Sequence, residues 1–426
     1  MQKSFILSGL INYNPEKTFN GYTLYAPMQL TTEEWSGLYS ESSYAYLIDM
    51  HGNEVHTWRL PSMPGLHGVL LENGNLLVAC IDGSREDVNK PGTYPGAKYL
   101  MGGASGYLFE LDWEGNIVYQ HHDPYMHHDF DKLPNGNYAY LQWEKVPEEK
   151  QRRIRGGIKG TEFIEEDGTT TMFTDNIVEI NHRGEVIWEW HAIDHLDFDK
   201  DIIGPVHARE EWSHFNGIHF FVDDTGREKF VTTGRHLDCM YVIDKKKGKV
   251  EKRIGAFSYL DPETGCIEHR EKANPVVSLK IPTLGGPHAA YVIPEGYPGA
   301  GNYLLYDNGM YADTSRAVEF SKNSTTENPI VVWESCQGAI GRRHYSSFIS
   351  GAQRLPNGNT LICDGAMGRF FELAAGTHDE VVWEFVNPHV PCKFWNGTVF
   401  RANRYGSDHC PQFTTLSTPN KSSFRR

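Results

Sequence analysis

The sequence predicts an all-β fold, a six-bladed β-propeller with long inter-strand loops. Three observations carry that expectation. A hairpin pattern recurs six times along the chain. A second pattern, built on Asn-Gly turns, sits between its copies. The composition is rich in aromatics (12% of 426 residues) and in glycine (42 residues). Strands favour aromatic and β-branched residues, and glycine serves their tight turns.

The first pattern is a short apolar run, an acid, a Gly-bearing polar turn, then apolar residues that usually end near a Trp. Its copies run Ala45–Trp58 around Asp49, Gly106–Tyr119 around Glu110, and Asn176–Trp190 around Glu179. They continue as Met240–Val250 around Asp244, Arg316–Trp333 around Glu319, and Arg369–Trp383 around Glu372. Each reads as strand, turn, strand. Trp58, Trp188, Trp190, Trp333 and Trp383 are expected to fill the space between blades, and the acids to serve as turn or surface partners.

The second pattern precedes Asn73-Gly74, Asn135-Gly136 and Asn357-Gly358 and has longer-turned relatives after His214 and His288. Asn-Gly between alternating apolar residues is the strongest short-range hairpin signal. Two hairpins per unit make four strands, and six such units make a propeller. The strands near Gly21 and Thr398–Tyr405 are expected to share one blade and close the ring, which removes free edges. No linker breaks the pattern. Residues 1–416 are read as one domain and 417–426 as a flexible C-terminal tail. The polar insertions 145–172 and 192–211 are expected to fold over one face.

A net charge of −15 argues against a nucleic-acid partner. The basic cluster Arg152, Arg153, Arg155 and Lys159 reads as a solvated loop. The N-terminal apolar run is too short for a signal peptide or a membrane span. The seven cysteines are scattered with no C-x-x-C pair, so reduced thiols and a cytoplasmic location are expected, with no membrane partner. Asp197, Asp199 and Asp201 have calcium-loop spacing but lack the Gly and the terminal Glu of such a loop, which favours a charged surface loop. Oligomeric state has no signature in the chain.

The chemistry concentrates in Trp212–His219 and Gly234–Asp244, which hold His214, Asn216, His219, Arg235 and His236. His67, His128, His214 and His288 each precede a hairpin turn by a similar interval. Equivalent positions on different blades point to one place, so these four are expected to converge on the central channel. Strand alternation puts His214 and Asn216 on one face and His219 on the other. His121, His122 and His127 read as loop packing, and His182, His191, His195, His207, His269, His378, His389 and His409 as ordinary structural or surface histidines.

The ordered set His214-x-Asn216, Arg235-His236, Pro287-His288, Asp307-Asn308-Gly309 with Ser315-Arg316, Gln353–Leu361, and Val381–Pro388 with Phe400–Tyr405 resembles the arylsulfotransferase (aryl-sulfate sulfotransferase) family over about residues 20–410. The resemblance implies a six-bladed propeller. It also implies transfer of a sulfuryl group from an aryl sulfate to a phenol, with no nucleotide donor and no cofactor, through a transiently sulfurylated histidine. By motif it assigns catalytic roles to His214, His288 and Arg316. The family's sulfuryl-accepting position on a later blade falls here at Ser350-Gly351, which makes His344 the nearest catalytic candidate. Asn216, Arg235, His236, His67, His128 and Tyr345 are the expected binding residues for a small aromatic or sulfated substrate.

Imidazole suits this chemistry because small shifts make it nucleophile, base or cation. Two alternatives stay open. One is a transition metal held by His67, His128, His214 and His288, supporting oxygenase or lyase chemistry. The other is a non-enzymatic binding propeller.

Overall fold

A computed structural model describes residues 8–28, 43–82, 102–165, 167–255, 258–260, 267–269, 284–311, 314–335, 344–389 and 397–416. The expected tail at 417–426 lies outside the described residues, as do Cys266, Cys336 and Cys392.

Six antiparallel sheets form the blades. Blade 1 pairs Val399–Gly406 with Gly21–Pro27, then Tyr44–Ile48 and Glu54–Arg59. The C-terminal strand is therefore its innermost strand, and Gly21 faces Gly406 across the closure. Blade 2 runs Pro64–Leu70, Leu76–Ile81, Gly106–Leu111, Ile117–His122. Blade 3 runs Met126–Lys132, Tyr138–Lys145, Phe173–Ile180, Val186–His191. Blade 4 runs Phe215–Val222, Glu228–Gly234, Cys239–Asp244, Lys249–Gly255. Blade 5 runs His288–Val292, Tyr303–Asp307, Arg316–Phe320, Val331–Glu334, and blade 6 runs Gly351–Arg354, Thr360–Asp364, Arg369–Leu373, Val381–Val386. An additional strand, Gly9–Tyr13, covers the outer edge of blade 6 by pairing with Val381–Val386. Both ends of the chain thus occupy edges that would otherwise be open to another sheet.

The recurring residues explain the recurring shape. Trp58 donates its indole N–H to the Asp112 carbonyl of the next blade at 3.0 Å. Trp190, Trp333 and Trp383 do the same to Gly248, Thr377 and Met50, each at 2.9 Å. Each ring is an apolar wedge with one polar tip, and the tip is satisfied by the neighbour's backbone. The hairpin acids are buried rather than superficial. Glu110, Glu179, Glu319 and Glu372 accept the amide of Asn75, Asn137, Asn302 and Asn359 at 2.6–2.7 Å. The acid of the outer hairpin therefore pins the turn of the inner one, which is why Asn follows the turn glycine. Glu372 also holds Arg404 at 2.9 Å with both side chains at 0% exposure, a pair whose severing costs about 3–5 kcal/mol.

The insertions after blade 3's second and fourth strands meet in a parallel pair, Gly156–Ile158 with Ile203–Ala208, and the first also forms a short hairpin, Phe163–Ile164 with Thr170–Thr171. Its basic cluster is solvated as expected, with Arg155 on Asp199 and Arg152 on Glu148. Asp201 is committed to Arg253 at 2.9 Å and to Tyr241 at 3.1 Å, so the calcium-like spacing has a structural use. Cys80, Cys239, Cys363 and Cys410 are buried free thiols. No helix among the described residues is long and apolar enough to cross a membrane.

Candidate active site

Four inner strands are entered through non-glycine residues with left-handed backbone: His128 (φ 50°), His214 (φ 47°), Ala289 (φ 56°), and the consecutive Ile349 (φ 53°) and Ser350 (φ 90°). Such a conformation costs an L-residue about 1–2 kcal/mol, and such strain gathers at functional sites. Three of the four entries lie beside a register shift in their own ladder. The bulge re-aims the side chains at the top of the strand. In blades 3 and 4 the re-aimed residue is a histidine.

These two histidines meet. The His128 and His214 rings are edge to face with centroids 4.8 Å apart, and His236 stacks on His214 at 4.4 Å. His207 stacks behind His236 at 5.0 Å. Arg235 sits beside them, its Nη1 donating to the Ser347 carbonyl at 3.0 Å. Burial, the neighbouring imidazoles and the Arg235 guanidinium hold His128 and His214 far below the ordinary imidazole range. Burial, with His207, does the same to His236. The neutral forms of these three imidazoles are favoured, and Arg235 is the guanidinium beside them. Tyr345, 40% exposed, lies within electrostatic range of Arg235. The Gly102-Gly103 backbone closes over the cluster. A Cβ on Gly103 would lie 2.2 Å from His128 Cε1.

Each ring is anchored through Nδ1. His236 Nδ1–H donates to the Glu211 carbonyl at 2.8 Å. His214 Nδ1 lies 2.5 Å from Glu211 Oε2, close but off hydrogen-bond angle. Burial, with Asp175 and Glu210 nearby, pushes the Glu211 carboxyl well above its ordinary range, which favours its protonated form. His128 Nδ1 lies 2.8 Å from His127 Nδ1, and His127 Nε2 lies 3.2 Å from Asp175 Oδ1.

His288 is anchored most firmly. Its Nδ1–H donates to Asn308 Oδ1 at 2.6 Å and to the Gly286 carbonyl at 3.0 Å. The Asn308 amide is itself fixed, donating to Ser346 and Ile349 carbonyls. Nε2 accordingly carries the lone pair and accepts a long 3.2 Å bond from Ile349 N–H. Burial and Arg235 push its pKa down to about 3. Phe400 is the common floor, with ring centroids 5.6 Å from His67 and 6.4 Å from both His128 and His288.

The remaining expected residues lie elsewhere. His67 is bound below the floor, its Nε2 2.6 Å from Asp129 Oδ1. Burial alone would raise Asp129, but Arg401 and His67 outweigh it and hold the carboxyl at about 2. Asn216 lies within the bulge between Phe215 and Ile218. It donates to the Pro287 carbonyl at 2.9 Å and accepts from Thr233 at 2.6 Å, steadying the backbone that carries His288. Arg316 is held by Asp307 at 2.9 Å and Glu334 at 2.5 Å, and it is not gathered with the imidazoles. His344 packs on Tyr306 and Phe371, with centroids at 5.9 and 5.1 Å.

The four-histidine metal set is not assembled. His67 is committed to Asp129 and His288 to Asn308, and among the described residues no three His, Cys, Asp or Glu side chains are arranged to hold a metal. His127, His207, Glu211 and Asp175 were not legible as site residues.

Comparison with known proteins adds a family. The arylsulfotransferase (ASST) family model matches residues 96–398. None of the curated proteins matches. Among solved structures, the Dos1 propeller is 10% identical, with 89% of this chain and 77% of that chain covered and a TM-score of 0.37. The periplasmic gluconolactonase of Pseudomonas aeruginosa is 9% identical, with 86% and 96% covered and a TM-score of 0.42. A protein from Lactobacillus plantarum is 10% identical, with 91% and 99% covered and a TM-score of 0.40. Likeness at that level fixes no function.

Proposed function

The chain belongs to the arylsulfotransferase family, and on that premise we propose that it moves a sulfuryl group from an aryl sulfate to a phenolic acceptor through His288. The observation that carries this reading is the double anchor on His288 Nδ1, which fixes the tautomer with its lone pair on Nε2. A nucleophile needs that neutral form and an orienting partner behind it. His288 has both, beside the cation Arg235.

In the first half-reaction, Nε2 attacks sulfur. An N–S bond forms and the S–O bond to the aryl group breaks. The phenol oxygen leaves with the bonding pair and takes a proton from a neighbouring imidazole. In the second half, an acceptor phenol attacks the same sulfur. The N–S bond breaks, the lone pair returns to Nε2, and the acceptor's proton goes back to the imidazole. Arg235 supplies donors for the sulfuryl oxygens, and the Ile349 N–H gives up Nε2 as the N–S bond forms. Fixed donors of this kind act strongly where water is excluded. The half-exposed Tyr345 offers an aromatic rim for the aryl ring.

A second reading makes His214 the nucleophile. Its side chain is 12% exposed, more than that of its neighbours, but it requires Glu211 to ionise. The reaction is tested by mixing the protein with a chromogenic aryl sulfate and a phenol. Release of aryl alcohol that depends on the acceptor is expected, and loss of that release in His288→Asn. No release above the His288→Asn background, across several donors, overturns the proposal.

A further inference from the structure

Sulfuryl transfer between two phenols needs a place for one proton. It is delivered to the leaving phenol in the first half-reaction and recovered from the acceptor in the second. The inference below rests on the transfer reading above and concerns where that proton waits.

Two carboxyl groups stand behind the facing imidazoles, and they stand differently. Glu211 touches His214 directly. Asp175 stands behind His128 across a second imidazole, in the order Asp175 Oδ1, His127 Nε2, His127 Nδ1, His128 Nδ1, with separations of 3.2 and 2.8 Å, of which only the 2.8 Å approach has hydrogen-bond geometry. His127 is fully enclosed. It is 1% exposed and stacks on Trp143 with centroids 4.6 Å apart. Asp175 is at 0% exposure and its other oxygen accepts the Phe215 N–H at 2.7 Å. A buried imidazole pair sharing Nδ1 to Nδ1 can hold only one proton between those atoms. Packing alone does not call for this order of groups, since an apolar ring against Trp143 would fill the same space without a charge to balance.

We propose that Asp175, His127 and His128 form a proton store for the transfer reaction, with His128 Nε2 as its open end. In the empty state His128 carries its proton on Nδ1, shared with His127, and Nε2 bears a lone pair. A phenol proton arriving at Nε2 sends the Nδ1 proton across the 2.8 Å gap to His127 Nδ1. The positive charge then rests on His127, beside Asp175, and not on the ring that faces Arg235 and the sulfuryl group. In the reverse direction His128 Nε2–H gives its proton to the leaving phenolate, and His127 returns its own to His128 Nδ1. The cycle therefore starts from the loaded pair: it gives its proton to the leaving phenolate in the first half-reaction and is reloaded by the acceptor phenol in the second, so one proton leaves and one enters per cycle. His128 touches the reacting oxygen and is the catalytic residue. His127 and Asp175 act through it and are positioning residues.

The test uses the full chain and two readouts. In the first, aryl sulfates are compared whose leaving phenols range from acidic nitrophenols to unsubstituted phenol. General acid help is worth roughly 10²–10⁴-fold where the leaving group is poor. His127→Gln and Asp175→Asn are expected to slow transfer from phenyl sulfate by about 100-fold or more. They should slow transfer from nitrophenyl sulfates by less than about tenfold, because those phenolates leave without a proton. An equal loss on every donor overturns the store, since a misfolded or displaced site would lose all donors alike.

The second readout needs no turnover. With nitrogen-15 in the histidine rings, the free protein is expected to show a strongly downfield ring N–H coupled to two Nδ1 atoms. That signal should vanish in His127→Gln and persist in His214→Gln. Its absence from the wild-type protein overturns the store even if sulfuryl transfer is active. If the signal is present and no aryl sulfate is turned over, the shared proton stands and the transfer reading fails.

Discussion

His128 and His214 face each other edge to face, centroids 4.8 Å apart, each on a left-handed backbone at the head of a different blade. Neither side chain reaches the axis by strand alternation. Both arrive there because a bulge turns the top of the strand inward, and both are then desolvated beside Arg235. The pocket is therefore poor in mobile charge and rich in fixed donors, which suits a monoanionic sulfuryl group.

Arg235 is the cation on which that balance depends. Arg235→Lys keeps the charge but loses the planar fork that can meet two oxygens. Transfer is expected to fall by roughly 10²–10³-fold, read as kcat/KM for an aryl sulfate. Unchanged kcat/KM would show that the oxygens are held elsewhere.

Glu211 distinguishes a donor from a base. Burial favours its protonated form beside His214 Nδ1, and we predict that it acts there as a donor. A Gln amide at that position also donates. Glu211→Gln is expected to retain activity within about tenfold, while Glu211→Ala loses about 100-fold, in line with removal of one oriented donor. The opposite ranking, measured by initial rates, would mean that Glu211 acts as a carboxylate and would favour His214 as nucleophile.

Gly103 is needed for space as well as for its φ of 89°. In Gly103→Ala the new Cβ would overlap His128 Cε1 and displace the ring. An expected loss of about 100-fold in transfer follows from a displacement near 1 Å. The stability cost is about 1–2 kcal/mol for the left-handed backbone, so the variant should remain folded by circular dichroism. A fully active variant would place the working face of His128 away from this segment.

Stability should respond to pH from two sides. Burial lowers His288 and His344 to about 3, below the ordinary 6.5. The folded protein then binds fewer protons than the unfolded chain. The stability they contribute is complete above about pH 6.5 and is lost as pH falls toward 3. Burial raises Asp131 to about 7 from an ordinary 3.8. Its contribution is complete below about pH 3.8 and is lost as pH rises through 7. Thermal midpoints between pH 4 and pH 8 (roughly the span of these shifts) should show His344→Phe flattening the acid limb and Asp131→Asn the neutral limb. Parallel curves for both variants would contradict the assignment.

The fold was almost wholly legible, because it is written in repetition. Asn after a turn glycine, an acid two strands away and a terminal Trp each have one physical job that recurs in most blades. The site was legible only in part. Arg235, His236, His128 and His214 came together as their positions suggested. Counting residues back from the turns put His67, His128, His214 and His288 on a common level, and the bulges undo that count. His67 sits beneath Phe400, and in blade 5 the left-handed position falls on Ala289, one residue past His288. Arg316 looked like an anion binder because its partners, Asp307 and Glu334, lie on other strands. Glu211, His127 and Asp175 gain their roles only from contacts across blades, which spacing along the chain does not display.

The most direct measurement is the mass of the protein after exposure to an aryl sulfate without an acceptor, followed by peptide mapping. The expected result is a gain of one SO₃ on the peptide that carries His288, absent in His288→Asn and discharged on adding a phenol. A gain mapped to His214 would transfer the nucleophile to that residue, and no gain at all, with no aryl alcohol released, would contradict sulfuryl transfer through this site.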